Sequence, residues 1–143
     1  MATTIASNDL TTRVTETITL NGTNYDTTTT YTIAGVTNYV SNVFSVKTGT
    51  QRILSFSRTL TAPVNGEYDV DDTVYLRITN ADDTVEVKVI CTYLTSGPQN
   101  TPLPPGGSLV LTEFTFGGTD TLESIQIVTS ADVDLPYAIG LKQ

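Results

Sequence analysis

The chain has no histidine and no tryptophan, and its 143 residues include a single cysteine. Each absence removes a class of chemistry. Without histidine there is no Ser-His-Asp or Cys-His nucleophile system, no imidazole general base and no His-ligated zinc. With Cys91 alone there is no intramolecular disulfide. Without indole there is no broad platform for sugar rings, and tyrosine has to serve instead. Charge is sparse too. Only 15% of the residues are charged, seven Lys and Arg against fifteen Asp and Glu, for a net charge of −8. A surface that acidic repels phosphate backbones and anionic lipid, so neither nucleic acid nor membrane is an expected partner. No apolar run approaches the ~18 residues of a membrane-spanning helix. Met1–Ser7 shows neither the basic nor the apolar segment of a secretory leader. The expectation is a chain made in the cytoplasm and not secreted.

Threonine is what the chain has in abundance, roughly one position in five, in alternation with Val, Ile, Leu, Tyr and Phe. Thr is β-branched, so it suits a pleated strand, and its hydroxyl tolerates water. Val14, Glu16, Ile18 and Leu20 share one face of a first strand, with Arg13, Thr15, Thr17 and Thr19 opposite, and Asn21-Gly22 follows as a tight-turn signal. Further strands are predicted over Asp26–Ile33, Tyr39–Val46, Arg52–Leu60, Thr73–Thr79, Thr84–Leu94, Ser108–Phe116, Leu122–Ser130 and Val133–Leu141. Thr73–Thr79 and Thr84–Leu94, joined by Asn80-Ala81-Asp82-Asp83, read as a hairpin. Thr95–Gly107 holds four of the six prolines and three glycines, and reads as a long, stiff surface loop. The expected fold is all-β: an antiparallel β-sandwich, jelly-roll-like, of about eight or nine strands. Residues 1–10 are expected to form an N-terminal arm and residues 11–143 a single sandwich domain.

Few residues invite a chemical role. Cys91 shares a face with Val87 and Val89 and reads as a small buried hydrophobe. Asp69, Asp71 and Asp72 precede the strand Thr73–Thr79, and Asp82 and Asp83 follow it. An extended strand of that length spans ~20 Å, so the two clusters cannot share a metal. Asp69-x-Asp71 imitates the start of a calcium loop, but Val74 stands where the glycine belongs and Asn80 where the glutamate belongs. A loop calcium shared with Asp132 or Asp134 stays open as an alternative. Glu16, Glu113 and Glu123 are the carboxylates available for a glycosidase pair. Weighed together, these residues lead to no enzyme, no cofactor and no metal ligand as the expectation.

The stretch Tyr68-Asp69-Val70-Asp71-Asp72-Thr73-Val74-Tyr75-Leu76-Arg77-Ile78-Thr79-Asn80-Ala81-Asp82-Asp83 carries a resemblance. So do Gly106-Gly107-Ser108-Leu109-Val110-Leu111 and Ala131-Asp132-Val133-Asp134-Leu135-Pro136-Tyr137. Together they resemble small β-sandwich virion proteins of tailed bacteriophages, encoded near the phage structural genes. The resemblance covers Tyr68 to Leu141, about half the chain, in a pattern of turns and strands without catalytic residues. It implies a virion structural protein, first of all a head decoration (cement) protein docking on the outer capsid and stabilising it. It implies location in the virion, the major capsid protein or another virion protein as partner, and a homo-oligomer, a trimer before other states. It carries over no site residues.

The arm and the proline-rich segment have the least reason to exist in an isolated sandwich. Ile5, Leu10, Pro102, Leu103, Pro104 and Pro105 are therefore the candidate partner contacts. The alternative is a receptor- or glycan-binding module of a tail fibre, spike or neck, with Tyr25, Tyr31, Tyr39, Tyr75 and Tyr93 as stacking surfaces.

Overall fold

Period-two alternation gives each strand one apolar face, and sheets must pair such faces to hide them. The protein is described by a computed structural model covering residues 8–57, 66–112 and 119–142. Those residues form eleven strands and no helix. Strands β1 (Asn8–Leu20) and β2 (Thr23–Val36) make a separate two-stranded sheet. The other nine are β3 (Asn38–Val46), β4 (Gly49–Ser57), β5 (Glu67–Asp69), β6 (Thr73–Thr79), β7 (Val87–Tyr93), β8 (Gly97–Leu103), β9 (Ser108–Thr112), β10 (Leu122–Thr129) and β11 (Val133–Leu141). They form one sheet in the order β5-β4-β10-β7-β8 and a second in the order β3-β11-β6-β9.

The antiparallel pairings are nested. β3 pairs with β11, β4 with β10, β6 with β9, and β7 with β8. The chain is thus one long hairpin rolled so that β6 meets β11 and β7 meets β10. That is a jelly roll, with β5 added in parallel along the edge of β4. Leu54, Leu76, Ile78, Leu122, Ile125, Ile127, Leu135 and Ile139 are fully buried between the sheets. Cys91 lies in the same core, and burial pushes its thiol up to about 11, so it packs as the hydrophobe its strand position predicts. Tyr137 stacks on Phe44 at 3.9 Å and 10°, and Tyr68, from the opposite sheet, is pushed up to about 12 by burial and by Tyr137.

The structure departs from the sequence reading at three places. β6 and β7 are not a hairpin but lie in different sheets. Both strands alternate toward the same core, and a four-residue turn does not reveal whether it joins neighbours or crosses between layers. Gly97–Leu103 is a strand, not a loop. It pairs with β7 alone, and Pro98 and Pro102 sit four residues apart, a spacing that allows both ring nitrogens to face the free edge. The expected arm boundary after Leu10 falls inside β1, and Ile5 lies outside the described residues. β5 and β8 bring the total to eleven strands; with the hairpin a separate sheet, the sandwich itself has nine, within the expected eight or nine.

The crossing from β6 to β7 is made by Asn80, which is fully buried. Its Nδ2 donates to the carbonyls of Val85 at 2.7 Å and Leu103 at 3.0 Å. Its backbone N–H donates to Gly107 O at 2.9 Å, and its carbonyl accepts from Gly106 N at 3.0 Å. Gly107 N also donates to Pro104 O at 2.9 Å, closing a turn in which Gly106 has φ of 73°. That is the type II turn that Pro105-Gly106 demands. The variant Asn80→Asp keeps the size but replaces the donor with a charge facing two carbonyls. It should cost about 2–4 kcal/mol in denaturant unfolding, the range for buried groups stripped of partners.

Candidate functional site

β1 and β2 pair over twelve positions around Asn21-Gly22. Both turn residues have positive φ, 51° and 79°, the type I′ geometry that matches strand twist. The register sorts the side chains into two ladders. Leu10/Ile33, Thr12/Tyr31, Val14/Thr29, Glu16/Thr27, Ile18/Tyr25 and Leu20/Thr23 share one face. Arg13/Thr30, Thr15/Thr28, Thr17/Asp26 and Thr19/Asn24 lie on the other. The second ladder is wet: Thr15 and Thr28 share a 3.3 Å hydroxyl contact, and Thr19 donates to Asn24 Oδ1 at 2.6 Å. The first ladder holds the hairpin's large apolar side chains, interleaved with threonines and Glu16.

Only the base of that apolar ladder is covered. Leu10, Ile33 and Val36 pack on Val74, Tyr75 and Ala138, on the outer face of the β3-β11-β6-β9 sheet. A bulge prepares this seat. Thr73 pairs with Leu141 and Tyr75 with Gly140, which leaves Val74 unopposed, so it joins Tyr75 in the outer cluster. Thr37 N donates to Leu141 O at 2.9 Å and ties the exit of β2 to the sheet. A Cβ on Gly140 would stand 3.3 Å from both Leu10 Cδ2 and Tyr75 Cβ, so the absence of a side chain there is what lets the hairpin lie down. Beyond the base, Val14, Ile18, Leu20, Tyr25 and Tyr31 are between 41% and 56% exposed. Fully burying one such side chain is worth about 1.5–3 kcal/mol, and a lone two-stranded hairpin is marginal in water.

A groove of about 270 Å³ runs between the hairpin and the sheet edge, lined by Val14, Tyr31 and Ile33 on one side and Tyr75, Val110 and Thr112 on the other. Arg77, exposed on the same sheet face, pairs across to Val110. A smaller cleft of about 240 Å³ at the hairpin base is lined by Asp9, Asn38 and Tyr39 among others.

The candidate contacts do not come together. Leu10 is half-buried under the hairpin, near Tyr75 and Gly140. Leu103, expected as a partner contact, is instead buried in the sandwich core, where no partner reaches it. Pro102, Pro104 and Pro105 are exposed, but at the other end of β6, where the β8–β9 turn meets Asn80. Of the tyrosines, Tyr25, Tyr31 and Tyr39 are exposed, Tyr75 is buried and Tyr93 is half-buried. The periodicity had marked Val14, Ile18 and Leu20 as one face; no local signal says that this face misses the core.

The acidic residues are mainly turn-holding groups. Asp82 accepts from Thr84 N at 2.8 Å and Val85 N at 2.7 Å, and these bonds hold its carboxyl below the usual range. Asp132 pairs with Lys47 at 2.8 Å and accepts from Thr48 N at 3.0 Å, with the same effect. Asp120 accepts from Thr95 N at 2.7 Å and from the Ser96 hydroxyl. Asp72 is pushed up by burial and by Asp69 and Asp71. Its carbonyl accepts from Lys142 N, just past the end of β11, whereas Asp132 and Asp134 stand at the start. The separation, roughly 25 Å along the strand, rules out a calcium shared between them. Among the described residues no three Asp, Glu or Cys side chains are grouped to hold a metal ion. Glu16 is on the hairpin, Glu123 is exposed on β10, and Glu113 lies outside the described residues.

No family model matches the chain, and no curated protein sequence matches it. Among solved structures, a chain from the work titled "Structural and functional characterization of Pseudomonas aeruginosa AlgX" superposes with a TM-score of 0.44 at 15% identity. The match covers 72% of this chain and 26% of that one, so this chain spans about a quarter of its neighbour's length. A likeness at that level carries no argument about function.

Gly140→Val would fill the seat beneath Leu10. The expected result is loss of hydrogen-exchange protection in β1 and β2 with the sandwich strands still protected, and a stability cost of about 1–3 kcal/mol.

Proposed function

We propose that this protein is a structural component that works by surface docking, and that the assembly it serves is a phage virion, as a head decoration protein on the outer capsid. The observation that carries the docking reading is the hairpin, whose apolar ladder runs past the edge of its own sandwich with Val14, Ile18, Leu20 and Tyr25 uncovered. Ile18, Leu20 and Tyr25 lie together at the hairpin tip, with Val14 beyond the Glu16/Thr27 pair, and exposed apolar side chains grouped in this way mark an interaction surface. The virion itself is supported by the resemblance of Tyr68–Leu141 to small phage sandwich proteins. The jelly roll, common in capsid proteins, is compatible with that reading and hosts other functions as well.

The test is co-expression with the major capsid protein of the genome that encodes this chain. The protein should co-sediment with assembled shells at fixed stoichiometry and raise the temperature at which they break. Its absence from the shell fraction would sink the decoration role.

A second reading has its own observation. Tyr39 is exposed beside Asp9 and Asn38 in the cleft at the hairpin base, a pairing of an aromatic face with polar groups that suits a sugar ring. In that case Tyr39→Ala should abolish a signal that the intact protein gives on a glycan array. A flat array with the intact protein removes this reading.

A further inference from the structure

The uncovered ladder of the hairpin has a surface of matching chemistry within the same molecule. On the outer face of the β3-β11-β6-β9 sheet, Tyr39, Gly140, Tyr75 and Thr112 form one row, and Ser41, Ala138, Arg77 and Val110 the next. The hairpin base already sits on part of it, through Leu10, Ile33 and Val36. What is left open is Val110, Arg77 and the 270 Å³ groove beside them. The distal hairpin ladder carries Val14, Ile18, Leu20 and Tyr25 among Thr23, Thr27 and Thr29, with one charge, Glu16, set between Val14 and Ile18. Arg77 is likewise a single charge beside an exposed apolar residue. The sole ion pair among the described residues is Lys47–Asp132, so neither Glu16 nor Arg77 has an ionic partner there.

From this match we propose that the occupant of the distal hairpin face is a second copy of this chain. Ile18, Leu20 and Tyr25 of one copy enter the groove between hairpin and sheet of the next, and Glu16 meets the neighbour's Arg77. The contact extends an interface the chain already makes with itself: the same hairpin face on the same sheet face. Donor and acceptor surfaces differ, so the contact is head-to-tail, and it is satisfied everywhere only in a closed ring. Each copy in the ring then contributes its hairpin once and its groove once. A hairpin that is marginal alone gains its cover from the neighbour. The exposed Pro102, Pro104 and Pro105 lie at the other end of β6 and stay free for a different partner. The inference rests on the docking reading above and names the first partner of that surface.

The test is the mass of the purified full chain by sedimentation velocity, over a concentration series reaching about 100 µM, well above the micromolar range of weak specific interfaces. Glu16, Ile18 and Arg77 are exposed, so Ile18→Asp, Glu16→Arg and Arg77→Glu should fold, and thermal unfolding checks that they do. The expected result is a closed oligomer that each variant weakens about tenfold or more. The double variant Glu16→Arg with Arg77→Glu, which restores opposite charges across the contact, should recover most of the association. A wild-type monomer over the whole range overturns the proposal. So does an oligomer that breaks with Ile18→Asp yet ignores both charge reversals, because that is two hairpins packing face to face. Failure of the double variant to recover overturns it as well. A monomer that still co-sediments with shells would defeat the ring and leave the decoration role standing. A ring absent from shells would do the reverse.

Discussion

A strand that leaves one sheet and enters the other carries its backbone polar groups through the edge of the core with no ladder to receive them, and leaving such groups unpaired costs more than most packing contacts return. In this molecule Asn80 receives them. Its amide satisfies the carbonyls of Val85 and Leu103, and its backbone fastens the Gly106-Gly107 end of the β8–β9 turn. One residue therefore joins β6, the entry to β7, the end of β8 and the approach to β9. Those are the innermost strands of the rolled hairpin, and the outer pairs β4–β10 and β3–β11 wrap around them. Apolar burial drives the roll but does not choose its path, since other strand orders that pack the same two apolar faces together would hide the same area. The path is chosen where the polar backbone has to be satisfied. Every buried side-chain nitrogen and oxygen of the described residues has a partner, in keeping with that division of labour.

The hairpin obeys the opposite economy. Its strands are secured by local means, a type I′ turn and cross-strand pairs of β-branched residues, and it needs the sandwich only at its base. Its threonine face is content in water. Its apolar face is half covered, and the boundary between the covered and bare halves is set by the sheet beneath it, which ends at Val110 and Thr112 on β9. Chains usually blunt such a surface with lysine or proline. Here β1 and β2 contain no lysine and no proline, and their single arginine, Arg13, is on the polar face. The sequence thus leaves the ladder sticky, where a few charges would have silenced it.

Much of the fold was legible in the residues. Alternation delimits Val133–Leu141, and the Asn21-Gly22 turn is marked by a dipeptide that suits two positive φ values. The nested order was not legible, because period two tells which way a side chain points and never which strand lies beside it. That is why β6 and β7 looked like neighbours. Strand β8 was hidden by its prolines, which exclude a central strand and are compatible with an edge, and only the pairing decides between the two. Of the candidate contacts, Leu103 failed because a single leucine among prolines carries no periodicity, so nothing in its surroundings showed that it faced the core. Leu10, expected as an anchor for a partner, packs within the chain instead, above Gly140, and no feature of residues 1–10 reveals that seat. Alternation puts Val14, Ile18 and Leu20 on one face, but a strand's own residues do not say what, if anything, lies against that face.

These features give the molecule two ends. At one end of β6 the hairpin rises from Tyr75 and Gly140; at the other, the β8–β9 turn presents Pro104 and Pro105 from a rigid base held by Asn80. The first is apolar and projecting, with surface left uncovered. The second is preorganised by prolines, with little conformational entropy left to lose on contact. A net charge of −8 opposes close packing of copies through unselected surfaces, so association is confined to places where acids are few or are matched. The distal hairpin ladder is such a place, with Glu16 its single acid and Arg77 exposed on the outer sheet face that the proposed contact would use. The acidic turns around Asp69–Asp72 and Asp82–Asp83 are not. In the proposed contact charge does not create the docking surface; it eliminates the alternatives, and the apolar side chains of the ladder supply the affinity.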